Sequence, residues 1–180
     1  DADYTPVDAA GITYEAIDLS KKTVTDQFTG YDVNFCVDPN TEGNGTAANP
    51  YIIKTANQFA AVVTGNLKDA YGNWLSTESV CFKIDDNILG FNLKNTGSSV
   101  DFSKDDLTAA DVEAALKDEV VPSDLKWENK SGKPFMGRFD GNGAQVYGLK
   151  AEAGYCAIFP KIGGNVTIKN LTVKNNYFLG

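Results

Sequence analysis

The residues best placed to do chemistry are carboxylates beside tight turns. Asp140 sits in PFMGRFDGNGAQVYGL, residues 134–149, and Asp85 and Asp86 sit in FKIDDN. Two carboxylates facing each other across a sugar ring, roughly 5–9.5 Å apart, would serve glycoside hydrolysis. Nothing in the spacing brings Asp85 or Asp86 to Asp140. DGNG has a simpler use, because Asp-Gly and Asn-Gly accept positive φ and turn the chain. In such a turn the Asp140 carboxylate accepts backbone hydrogen bonds and pairs with Arg138, the only arginine. No catalytic residue is expected, and Asp140, Asp85 and Asp86 are the candidates if there is one.

Other chemistries are bounded by composition. The chain has no histidine, which removes Ser-His-Asp and Cys-His nucleophilic sites and the usual zinc sites. Cys36, Cys81 and Cys156 stand singly in apolar contexts, an odd count that suits buried free thiols better than a disulfide framework. A single arginine excludes a multi-arginine phosphate clamp. Asp38-Pro-Asn40-Thr-Glu42-Gly43 follows the first half of a calcium loop, but Asn49 stands where the bidentate glutamate belongs. No cofactor is expected. Ca2+ at Asp38, Asn40 and Glu42 is the alternative to a plain Asx-rich loop. Trp74, Trp127, Tyr155 and Tyr177 are the candidate sugar-stacking platforms, set against ordinary packing of the same rings.

The 180 residues, 42% hydrophobic, suit a single globular domain. A net charge of −8 argues against nucleic acid and anionic membrane surfaces. No apolar run approaches the roughly 20 residues of a membrane span, so no membrane insertion is expected in this segment. The first residue is Asp1, which reads as a processed or trimmed chain whose targeting segment is not visible. Between Asp101 and Glu128 nine acids face three lysines, the mark of a solvated insert.

Two helices are predicted to position these residues. Thr55 and Gln58 form a capping box, Phe59, Val62 and Val63 share a face, and Gly65-Asn66 stops the helix. The second runs from Thr108 to about Val120, with Leu107 as staple, a stripe of Val112, Ala115, Leu116 and Val120, and Pro122 beyond it. It lies within the acidic insert and is expected on the outside of whatever the strands build. Strand-like alternation marks Val33, Phe35 and Val37, and PYII reads as a short strand after a loop over 38–50.

From Phe135 onward the strands carry a repeat. In AQVYGLKA, Ala144 and Val146 share a face, the phase slips at Gly148, and Leu149 and Ala151 resume it. NVTIKNLTVK does the same at Val166 and Ile168, Asn170, then Leu171 and Val173, offset by 22 residues. A one-residue slip exchanges the faces of a flat strand. A chain that bends at Gly148 and Asn170 keeps both halves inward, as in stacked turns of a parallel β-helix about 4.8 Å apart.

Asn49-Pro50-Tyr51-Ile52-Ile53, Thr55-Ala-x-x-Phe59, PF-x-G-x-FDGNG-x-x-V-x-GL, AIFP and Val166-Thr-Ile-Lys-Asn-Leu-Thr-Val together carry a resemblance. The pattern is similar to the start of right-handed β-helix domains of secreted and cell-surface bacterial proteins, including those with GLUG-type repeats. It covers residues 46–180, interrupted by the insert, and departs at CAIFP, where the pattern usually reads GLFG.

The expected fold is mainly β: a short right-handed parallel β-helix with an N-terminal cap and a helical acidic insert. Residues 1–45 form N-terminal strands and cap, 46–94 the leading helix and first strands, 95–133 the insert, and 134–180 the β-helix rungs. The repeat is still running at NNYFLG, so the chain reads as a fragment of a larger protein or as a very short solenoid. The resemblance implies a non-catalytic extracellular module, secreted or at the cell surface, that presents a β-helix surface to a glycan or protein partner. A polysaccharide-active lyase or hydrolase and a structural spacer in a surface stalk are the alternatives.

Overall fold

Short runs of β-branched and aromatic residues, broken by Asn and Gly, give ten strands of two to five residues among the described residues. The computed structural model describes residues 17–152, 154 and 156–180. The strands are β1 (Val24–Gln27), β2 (Tyr51–Ile53), β3 (Cys81–Ile84), β4 (Ile88–Asn92), β5 (Arg138–Asp140), β6 (Gln145–Tyr147), β7 (Lys150–Ala151), β8 (Thr167–Lys169), β9 (Thr172–Val173) and β10 (Tyr177–Phe178). The helices are α1 (Ala56–Thr64) and α2 (Ala109–Leu116). One sheet has the order β2-β3-β5-β8, a second β1-β4-β6-β9, and a third pairs β10 with β7. Every pairing between these strands is parallel.

Parallel register stacks like on like. Tyr51, Phe82, Phe139 and Ile168 are successive partners in the first sheet. Phe91, Val146 and Val173 are partners in the second. Phe82, Phe139, Phe91 and Val146 of these columns share a common core with α1, and Tyr51 packs against it. Thr55 Oγ1 accepts from Gln58 N at 3.1 Å, the Gln58 side chain accepts from Thr55 N at 3.2 Å, and Gly65 ends the helix at φ 74. The predicted capping box and stop are therefore in place. Ala60 and Ala61 are as buried as Phe59 and Val62, so the helix is enclosed all round rather than amphipathic. Phe59 bridges the sheets, its ring 5.3 Å from Phe91 and 5.8 Å from Phe139. Burying such a side chain contributes about 1.5–3 kcal/mol.

The chain passes between sheets at left-handed bends. Asn142 (φ 49) and Gly143 (φ 79) make the turn after β5, closed by Ala144 N to Gly141 O at 2.9 Å. Both central residues have positive φ, as in a hairpin turn, yet β5 and β6 enter different sheets. Gly148 (φ 83) makes the next bend, and the slip read from the sequence is real there: Ala144, Val146, Leu149 and Ala151 are all buried. Asn170 (φ 57) lies against Gly143, whose N–H donates to its carbonyl at 2.8 Å, and Asn175 (φ 50) lies against Gly148 at 3.0 Å.

This pairing corrects the 22-residue spacing. Ile168 lies beside Phe139, not beneath Val146, and Val146 pairs with Val173. Neighbours are thus 29 residues apart in one sheet and 27 in the other. Two bends of similar local pattern follow each other within six residues, 142 to 148. Matching the second bend with Asn170, the counterpart of the first, shortens a 28-residue step to 22.

The segment between β4 and β5 packs on the outer side of the second sheet. Phe102, Val112 and Leu116 form a separate cluster with Tyr147, and Tyr177 lies against it. Lys150, buried, donates from Nζ to Lys117 O at 2.8 Å and Glu119 O at 2.6 Å, which satisfies carbonyls at the end of α2. Lys174 Nζ reaches Ser103 O at 2.6 Å and the Asp105 carboxylate at 2.5 Å. The acidic segment is held by lysines of the strands. α2 stops before Val120, which is 82% exposed and off the stripe. Residues 33–37 form a turn and one 3-10 turn, not a strand, because only Phe35 of the alternating set has a buried place.

Two half-buried groups give the fold a pH signature. Burial pushes the Cys36 thiol up to about 12 and raises the Tyr31 phenol well above its usual range; the Tyr31 hydroxyl donates to Lys126 O at 2.6 Å. An unfolded thiol titrates near about 8.5. Between there and about 12 the unfolded chain has lost a proton that the folded chain keeps, so stability falls as pH rises. The urea midpoint should decline steadily from pH 8.5 to 11, and Cys36→Ala should flatten the first part of that decline.

Candidate binding surfaces

Asp140 is committed to its own corner. Its Oδ1 accepts from Asn142 N at 2.9 Å and from Asn170 Nδ2 at 3.0 Å, and its Oδ2 lies 3.6 Å from Lys169 Nζ. The expected partner Arg138 has no ion pair among the described residues; the cross-strand neighbour Lys169 takes that role. Asp86 does come to the same corner, because Asn142 Nδ2 donates to its Oδ1 at 2.8 Å and to Ile84 O at 3.0 Å. Lys83 Nζ sits 3.0 Å from Asp86, and these two partners, Lys83 first, hold the Asp86 carboxyl below its ordinary value. A general acid needs the opposite shift. Asp85 accepts from Asn87 N at 2.9 Å, a turn contact.

Lys22 carries no motif or spacing that marks it in the sequence. It is buried at this corner and donates from Nζ to Asp86 O at 3.2 Å, and desolvation lowers its pKa against the pull of Asp86. The corner is a network of satisfied charges, Lys22, Lys83 and Lys169 against Asp86 and Asp140, threaded by Asn142.

The 38–43 loop uses its oxygens internally. Asp38 Oδ1 accepts from Asn40 N at 2.8 Å and Asn40 Nδ2 at 3.0 Å, while Glu42 pairs with Lys54 at 2.8 Å. Among the described residues no three Asp, Glu, Cys or His side chains gather as a metal site would require.

The aromatic candidates separate by burial. Trp127 is 3% exposed, donates from its indole N–H to Ile158 O at 3.1 Å and meets Phe28 edge-on at 5.6 Å; it offers no face to a ligand. Trp74 is half-buried on a surface hairpin, with Lys68 Nζ 5.3 Å from its ring. Tyr155 lies outside the described residues. Tyr177 lines an open groove of about 480 Å³ between α2 and β10, with Val112, Glu113, Asn175, Asn176 and Phe178. Asn175 and Asn176 are fixed there: Asn175 Nδ2 donates to Phe102 O and Lys104 O, and Asn176 Oδ1 accepts from Leu149 N. The groove exists because the insert, remote in sequence, packs beside β10. A second cleft of about 440 Å³ crosses the outer face of β3 and β5.

Compared with known proteins, the chain matches no family model, no curated protein sequence and no solved structure. Among the described residues no helix is long and apolar enough to cross a membrane.

If the corner is structural, stability should rank its acids by their bonds. Asp140→Ala, which strands Asn142 N and removes a charged acceptor, should cost about 1–3 kcal/mol in urea unfolding; Asp85→Ala, losing one turn contact, about 0.5–1.5 kcal/mol. The melting temperature should be the same in millimolar calcium and in chelator, since Asp38 and Glu42 already have partners.

Proposed function

We propose that the chain is a non-catalytic binding module that presents the groove between α2 and β10 to a glycan. Its parallel sheets are read as successive turns of a right-handed β-helix, with α1 filling the core as the N-terminal cap. In-register neighbours 27 and 29 residues apart and left-handed corners support that architecture. A secreted or cell-surface setting in a bacterium follows from the resemblance described above, which leaves a glycan and a protein partner both open; the aromatic lining of the groove is what favours the glycan.

One observation carries the function: Tyr177 and Phe178 stand in an open groove beside the Glu113 carboxylate and two side-chain amides held in place. Aromatic rings present an apolar face to sugar C–H groups, and the flanking Glu113 carboxylate meets ring hydroxyls, while the committed Asn175 and Asn176 amides hold the groove's shape. The polysaccharide-active alternative loses support at the Asp140 corner, where each candidate carboxylate has a hydrogen-bonding partner.

A glycan array probed with the labelled chain tests this reading. We expect retention of a subset of neutral or acidic glycans, weakened at least about tenfold by Phe178→Ala and by Tyr177→Ala, and kept by Tyr177→Phe, which preserves the ring packed on the insert. Binding indifferent to all three substitutions would remove the groove. An array without any signal would favour the spacer.

A further inference from the structure

We propose that the cleft across the outer face of β3 and β5 is a second glycan site, one that takes a sugar acid with its carboxylate on Arg138. The proposal extends the glycan-binding reading and rests on it for the class of ligand.

The cleft is built around a charge the fold does not use. Along the outward column Lys83, Asp140 and Lys169, successive partners alternate in sign, and Lys169 and Asp140 form an ion pair. Two residues earlier the corresponding column is Cys81, Arg138 and Thr167, with no carboxylate in it. Arg138, the only arginine, is exposed and has no ion pair or side-chain hydrogen bond among the described residues. It lines the cleft of about 440 Å³ with Glu78, Ser79, Cys81, Met136 and Asn165. That volume lies within the roughly 300–1,000 Å³ of small-molecule sites. Glu78 lines the same cleft without pairing to Arg138, so both charges face the space rather than each other.

The chemistry narrows the ligand. A guanidinium fork matches a planar carboxylate through two parallel N–H donors. A phosphate dianion is a poor fit, with one arginine, a facing Glu78 and a chain of net charge −8. The turn carrying Glu78 and Ser79 is set by Ser79 itself, at φ 62, and by Val80 N donating to Thr77 O at 3.0 Å. A non-glycine residue in this region is strained, and such strain gathers at ligand clamps. The backbone of β3 is paired to β2 and β5, and that of β5 to β3 and β8. Neither β3 nor β5 offers a free edge to an extended peptide, so recognition over these strands falls to side chains. Glu78, Ser79 and Asn165 offer acceptors and donors to ring hydroxyls, and Met136 offers an apolar contact to the ring.

Calorimetric titration of the 180-residue chain tests this, with a trisaccharide of alternating glucuronate and N-acetylglucosamine, its methyl ester, acetate and triglycine as probes. We expect the trisaccharide to bind, its methyl ester at least about tenfold more weakly, and acetate and triglycine not measurably. Arg138→Gln should cost at least about tenfold, Arg138→Lys less, and Phe178→Ala nothing; Arg138 is exposed, so these variants keep the fold. Trisaccharide binding unchanged in Arg138→Gln, or matched by acetate or triglycine, would overturn the proposal. Binding lost in Phe178→Ala but kept in Arg138→Gln would overturn it while leaving the groove intact. Failure of every probe here, beside a positive array, would do the same.

Discussion

Parallel pairing carries the direction of each side chain from one strand to the next, and most of this structure is a consequence. Once Phe82 points into the core, Phe139 and Ile168 beside it must do so too. Once Lys83 points out, Asp140 and Lys169 follow, and the outer face becomes a line of charges that must be chosen to agree. The cost of this regularity falls at the corners, where the chain leaves one sheet for another and backbone groups lose their ladder partners. Asparagine and glycine meet it twice over. They take the left-handed bends at 142–143, 148, 170 and 175, and asparagine side chains satisfy the carbonyls and amides exposed there, as Asn95 does with Lys150 N and O.

The same constraint explains where open surfaces arise. A column that neutralises itself, such as Lys83, Asp140 and Lys169, has nothing left for a ligand. The Asp140 corner is therefore a poor place to look for catalysis, for all its carboxylates. Surfaces become available where the repeat is interrupted. The insert between β4 and β5 is long enough to fold back, carry α2 to β10 and leave a groove along Tyr177. The turn before β3 brings Glu78 and Ser79 to the same open cleft as Arg138, whose column lacks a counter-charge. At the last strands the core columns end exposed: Ile168 is 38% and Val173 47% exposed, against 1% and 0% for Phe139 and Val146 beside them.

Local signals were legible and long-range ones were not. Thr55 and Gln58 fixed the start of α1, since a capping box is an interaction across three residues. The DGNG turn and the slip at Gly148 could likewise be read from residues that touch. Which bend matches which could not, because Gly148 and Asn170 have the same flanking pattern while backbone pairing decides that Asn170 answers Asn142 and Gly143. Alternation at Val33, Phe35 and Val37 misled for a related reason: a period of two is only a strand when a neighbour pairs with it. Trp127 and Tyr177 looked alike as aromatic candidates; the packing of Phe28, Phe59 and Ile158 around the indole separates them. The meeting of Asp86 with Asn142, and the burial of Lys22 beside them, depend on contacts more than fifty residues apart and left no trace in spacing.

The register of the second sheet is the most direct point of test. Gln145 and Thr172 are paired neighbours, whereas Thr167, 22 residues from Gln145, lies in the other sheet. Parallel neighbours sit roughly 4.8 Å apart, inside the roughly 4.4–6.8 Å between α-carbons that a disulfide spans. With Cys36, Cys81 and Cys156 replaced by serine, Gln145→Cys with Thr172→Cys should oxidise to an intramolecular disulfide, seen by mass spectrometry of the folded chain. Gln145→Cys with Thr167→Cys should stay reduced. The reverse result would contradict the parallel register on which the core, the corners and both surfaces depend.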